Sequence, residues 1–105
     1  MLIVETPIFT KRIDRILDEE SYRLLQLHLL HRPDAGDIIR GSGGIRKIRW
    51  ASSGSGKRGG ARVIYYWAVT KETVLMLFAF GKSERDNLTP DQVKQLAEVV
   101  REEFK

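Results

Sequence analysis

The sequence contains no cysteine, which excludes a disulfide framework and any thiolate metal site. That fits a reducing compartment. The opening residues, Met-Leu-Ile-Val-Glu-Thr-Pro, carry no basic region and no apolar run of signal-peptide length. The longest apolar run, Val74 to Phe80, is far too short to span a bilayer. A soluble cytoplasmic protein with no membrane association is the expectation. At 105 residues, a single domain over 1–105 is expected, able to bury one modest core.

Acidic residues are missing from the middle of the chain. Ile38 to Lys71 holds eight basic residues and no acid. Met1 to Asp37 and Glu72 to Lys105 each hold five basic and seven acidic residues, a balance of −2 apiece. The net charge of +4 is therefore +8 in the middle third offset by −4 at the two flanks. A charge run can be merely a wet surface. One this segregated also reads as a footprint for a polyanion, with nucleic acid the commonest candidate.

The periodicities predict the order β-α-α-β-β-β-α. Leu2 to Glu5 is β-prone. Thr6-Pro7 reads as an N-cap with proline at the first helical position, followed by Phe9, Ile13, Ile16 and Leu17 at helical spacing. Asp18 can cap a second helix with Tyr22, Leu25 and Leu29 on its apolar face, ended by Arg32-Pro33. Ile45 to Ala51, Ala61 to Val69 and Val74 to Phe80 read as strands, and Ile38-Ile39 as a further short extended piece. Thr89-Pro90-Asp91-Gln92 resembles a capping box opening a last helix with Val93, Leu96, Ala97, Val100 and Phe104 in its stripe. The fold class is α+β: a small antiparallel-rich sheet with two N-terminal helices and one C-terminal helix. An antiparallel meander covered by helices on one face is the simplest packing.

Within the predicted strand Ile45 to Ala51, alternation places Lys47 and Arg49 on one face, with Ile48 and Trp50 on the other. Arg62 begins the next strand, on the face of Ile64 and Tyr66. In a hairpin it meets the two cations at one end of the sheet. The intervening Gly54-Ser55-Gly56-Lys57-Arg58-Gly59 matches G-x-G-x-x-G literally, but a dinucleotide site needs a helix after the loop, and here a strand is predicted. A basic flap touching a phosphate backbone suits it better. Tyr65, Tyr66 and Trp67 could stack on bases, although core packing suits at least two of them. His28 and His31 have metal-ligand spacing but no third donor in place, so no metal and no cofactor are expected.

The runs Gly43-Gly44-Ile45-Arg46-Lys47-Ile48-Arg49-Trp50, Lys57-Arg58-Gly59-Gly60-Ala61-Arg62-Val63-Ile64-Tyr65-Tyr66 and Phe80-Gly81-Lys82-Ser83-Glu84 resemble the RelE superfamily, most of all its HigB-like branch. The resemblance implies the toxin of a type II toxin–antitoxin module. Such toxins cut mRNA in the ribosomal A site by attack of a ribose 2′-OH on the adjacent phosphate. It makes Lys47, Arg49, Arg62 and Lys82 the catalytic residues; Arg46, Lys57, Arg58, Tyr66 and Arg85 are the candidates for RNA or ribosome binding. It implies as partners the 70S ribosome, mRNA and a cognate HigA-like antitoxin of helix-turn-helix type. Ser83 stands where RelE has an arginine, and Leu88-Thr89-Pro90 where it has a tyrosine; Arg85 and a hairpin tyrosine are the candidate substitutes. ParE-type toxins share the fold but inhibit gyrase without nuclease activity. That reading, and a non-catalytic RNA-binding module, are the alternatives.

Overall fold

In the computed structural model, which describes residues 1–51, 60–82, 84 and 87–105, five strands form one mixed sheet in the order β1-β5-β4-β3-β2. The strands are β1 (Leu2–Glu5), β2 (Asp37–Ile38), β3 (Ile45–Trp50), β4 (Ala61–Ala68) and β5 (Thr73–Gly81). Helices α1 (Pro7–Ile16) and α2 (Glu19–His31) follow β1, and α3 (Pro90–Glu103) closes the chain. The α+β class and the predicted element order hold, with Asp37–Ile38 as the extra short strand. Only the β1–β5 pair is parallel; β2–β3, β3–β4 and β4–β5 are antiparallel.

The helix starts follow from local chemistry. Thr6 Oγ1 accepts the Phe9 amide at 3.2 Å, and Asp18 Oδ1 accepts that of Ser21 at 3.0 Å. Thr89 and Gln92 form the reciprocal capping box. Each satisfies backbone donors that the first helical turn leaves without an intrahelical partner.

One expectation fails. Helices cover both faces of the sheet, not one. Phe9, Ile13, Leu25 and Leu29 of α1 and α2 pack on Val63, Tyr65, Val74 and Met76. On the reverse face, Leu96, Ala97, Val100 and Phe104 of α3 lie over Ile45, Ile64, Leu75, Leu77 and Phe80. The physical reason is that β4 and β5 are apolar on both sides, so both sides must leave water. A register shift sharpens this: Ile64 opposes Phe78 while Tyr65 opposes Met76, so Leu77 is the extra residue on β5. Leu77 and Phe78 both join the α3-side cluster.

The outer edge of β5 is closed in stages. β1 pairs with Thr73 to Met76. Beyond it, Thr6 Oγ1 donates to the Leu77 carbonyl at 2.9 Å, and Arg12 Nε to the Ala79 carbonyl at 2.6 Å. Side chains of α1 and its cap thus replace the missing strand and satisfy carbonyls that an edge would leave bare. Among the described residues, no helix is long and apolar enough to cross a membrane.

Candidate nucleic-acid interface

The β3–β4 register sets the site. Arg49 lies directly opposite Arg62, and Lys47 opposite Ile64. Since directly opposed residues share a face, Lys47, Arg49 and Arg62 all project from the α3 side of the sheet. Their neighbours Ile48 and Trp50 pack into the other core, as alternation predicts. Trp50 is anchored there by its indole N–H on the Ser21 carbonyl at 2.9 Å and by the His28 ring at 5.2 Å.

The three cations sit at graded depth. Arg62 is only 8% exposed, Lys47 half-buried and Arg49 exposed. A buried guanidinium is held in few rotamers, so less side-chain freedom is lost when its fork of donors meets an oxyanion. Arg62 also opposes Phe80, and Ala61 opposes Gly81, so Lys82 leaves β5 at the same end of the sheet. Lys82 is exposed.

The turn that carries Lys82 is clamped from α1. The Arg12 guanidinium lies 4.9 Å from the Phe78 ring centre and pairs with the Glu84 carboxylate. The other Glu84 oxygen accepts the Gly81 amide at 2.9 Å, and the Glu84 amide donates to the Gly81 carbonyl at 3.0 Å. Further on, Asn87 Oδ1 accepts Lys47 Nζ at 2.5 Å, which orients the amine. The polar stretch holding Glu84 and Asn87 reads in sequence as a connection. No spacing rule marks the Arg12–Glu84 or Lys47–Asn87 contact, because these span 72 and 40 residues.

The remaining expected residues divide. Arg46 projects from the opposite face, where its Nη1 donates to the carbonyls of Asp34 at 3.1 Å and Gly36 at 2.8 Å. It is a brace for the segment leading into β2, away from the other cations. Tyr65 supports the same segment, accepting the Gly36 amide at 2.8 Å and donating to the Pro33 carbonyl at 2.7 Å. Gly36 is required there, because a Cβ would meet the Tyr65 hydroxyl at 2.9 Å. Tyr66 shares the cation face but stands four residues along β4 from Arg62, about 13 Å at strand rise, and packs on Phe104 at 5.8 Å. Lys57, Arg58 and Arg85 lie outside the described residues. The glycine run is followed by β4, so the strand–loop–helix context of a dinucleotide site is absent.

Two clefts meet at the Lys47–Asn87 pair. One, of about 480 Å³, is lined by Ile39, Arg40, Gly41, Leu88, Pro90, Val93 and Lys94 besides the pair. The other, of about 450 Å³, also includes Asp37 and Arg49. A mixed sheet with a cationic end, flanked by clefts and backed by a C-terminal helix, defines a small α+β protein with a basic surface at one end of its sheet. The family model for the RelE toxin of the RelE/RelB toxin–antitoxin system matches residues 32–105, and the chain belongs to that family, a type II toxin. Its fold is similar to that of a double arginine-to-alanine mutant of E. coli toxin RelE in the free state, with a TM-score of 0.61, 20% identity and coverage of 95% of each chain.

Proposed function

We propose that this toxin is a ribosome-dependent mRNA endonuclease acting in the cytoplasm. The observation that carries the reading is the in-register pair Arg49–Arg62 with Lys47 two residues along the same face. Three cations converge where one phosphodiester could sit, and a buried guanidinium forms the floor.

The step is a transesterification. The ribose 2′-oxygen bonds to the adjacent phosphorus, the bond from phosphorus to the 5′-oxygen breaks, and a 2′,3′-cyclic phosphate and a 5′-hydroxyl result. One proton leaves the 2′-OH and one reaches the departing 5′-oxygen. The guanidiniums of Arg62 and Arg49 stabilise the charge that builds on the pentacoordinate phosphoryl group. They cannot exchange protons at neutral pH. The proton transfers fall to the two amines, Lys47 within β3 and Lys82 just past β5, one on each side of the phosphorus. Asn87 holds Lys47 in place. The ribosome completes the site by fixing the mRNA in line for attack. A HigA-like antitoxin is the proposed partner that keeps the toxin silent.

Short induction in a bacterial host, followed by mapping of transcript 5′ ends, tests the reading. Cuts confined to translated regions support it. Growth arrest with intact transcripts would sink it, and inhibited supercoiling by purified protein would place the chain with the gyrase inhibitors instead.

A further inference from the structure

Helix α2 is apolar on two sides. Ser21, Leu25 and Leu29 face the core. Leu24 and Leu27 point outward, each 42% exposed. A helix that only covers a core carries polar residues on its outer side. Here Glu20, Leu24, Leu27 and His31, all exposed, follow one another at the alternating four- and three-residue spacing of a helix-pairing seam. A groove of about 410 Å³ lies on that seam, lined by Leu24, Leu27, His28, His31 and Trp50. Its four helical residues stand at i, i+3, i+4 and i+7, the hole that receives one side chain of a facing helix.

The charges say which helix fits. The first turn of α2 is acidic, with Glu19 and Glu20, and its end is basic, with His28, His31 and the capping Arg32. Arg32 touches Asp34 at 3.3 Å, yet 66% of its side chain is open to solvent. A second α2 laid antiparallel, with a two-fold axis between residues 25 and 26, complements every one of these features. Leu24 then faces the partner's Leu27 and fills the partner's groove. Glu20 faces the partner's His31, and Glu19 faces the partner's Arg32.

We propose that this chain pairs with a second copy of itself through an antiparallel α2–α2 contact. The helix packs on the side of the sheet away from α3. Lys47, Arg49 and Arg62 project from the α3 side, so the pairing leaves them uncovered. The proposal does not depend on the nuclease reading. A contact between two short helices is small, so the dimer is weak and reversible.

Sedimentation equilibrium of the purified full chain tests it, over about 1 to 100 μM, the range suited to a small interface. The average mass is expected to rise from monomer towards dimer. Leu24→Glu and Leu27→Glu should each raise the dissociation constant at least about tenfold, because symmetry removes two buried leucines at once. Glu19→Arg and Arg32→Glu should each raise it about fivefold, and the double variant, with the charges exchanged, should return within about twofold of the wild type. Circular dichroism checks that each variant is folded. A wild type still monomeric at about 100 μM overturns the proposal. So does a dimer indifferent to both leucine variants, or an exchanged double variant as weak as the singles. A monomeric free chain whose Leu24→Glu variant no longer binds the antitoxin would give this face to that partner, and would equally overturn the second copy as its occupant.

Discussion

Arg49 and Arg62 face each other across the β3–β4 ladder on one side of the sheet. Like charges directly opposed on a strand pair repel, and an anion placed on both relieves that repulsion. Phosphate or sulfate is therefore expected to raise the melting temperature more than chloride at equal ionic strength, by preferential binding to the folded state. Arg49→Ala should abolish most of the difference. Thermal scans of the two proteins in matched salts decide it, and an unchanged anion response in the variant would count against a shared oxyanion site.

Arg62 combines a cationic fork with near-complete burial. Arg62→Ala is expected to lower cleavage at least about 100-fold, the scale for losing one positioned charge donor. Arg62→Lys keeps the charge but loses the fork, and should recover little. Ribosome-programmed cleavage rates measure this, with circular dichroism confirming that each variant is folded.

The Arg12–Glu84 pair ties α1 to the turn bearing Lys82. Because both side chains are partly exposed, their coupling in a double-mutant cycle should stay below about 1 kcal/mol. The effect on cleavage should be larger than that figure suggests, since the pair also orders Gly81 and Lys82. Comparing denaturation midpoints with cleavage rates for Arg12→Gln, Glu84→Gln and the double variant separates the two effects. Equal losses in both would reduce the pair to a stabilising contact.

Two tyrosines bias the protein against alkali. Burial, followed by the hydrogen bond to Glu5, raises the Tyr22 phenol above its ordinary range, and burial raises that of Tyr65. The folded state thus holds these protons more tightly than the unfolded one. The resulting stability is fully present below the unfolded value of about 10 and is lost as pH rises through the folded values. Urea midpoints measured from pH 8 to 11 should fall above pH 10 in the wild type and fall less in Tyr22→Phe. Parallel curves would remove Tyr22 as the source.

Gly60 enters β4 at φ +65°, and a Cβ there would lie 2.2 Å from the Trp50 carbonyl oxygen. Gly60→Ala is expected to destabilise the fold by about 1–3 kcal/mol through a strained backbone and to displace Arg62, two residues on. Chemical denaturation together with a cleavage assay reads both consequences.

The sheet cations were legible in the sequence because strand alternation assigns faces without knowledge of tertiary contacts. Lys47 and Arg49 alternate with Ile48 and Trp50, and a hairpin then carries Arg62 to the same end. Capping was legible for the same reason: Thr6, Asp18 and Thr89 act within three residues. What alternation does not carry is which layer covers each face. The position of α3 depends on β4 and β5 being apolar on both sides, and a single-face packing misses it. Arg46 lies in the same basic run as its neighbours; alternation puts it on the reverse face with Ile48 and Trp50, and only the path of residues 34–36 gives it carbonyls to brace there. Asn87 and the Arg12–Glu84 pair depend on contacts about 40 and about 70 residues apart, beyond the reach of any local pattern.

The alternation in β3 makes toxicity and folding a single condition. A slip of one residue against β4 would turn Lys47 and Arg49 into the core under α1 and α2, and turn Ile48 and Trp50 out to solvent. Such a chain would lose its indole anchor and turn its cations away from the α3 side of the sheet at once. No misregistered form can be both stable and harmful, so the strand proofreads the weapon it carries.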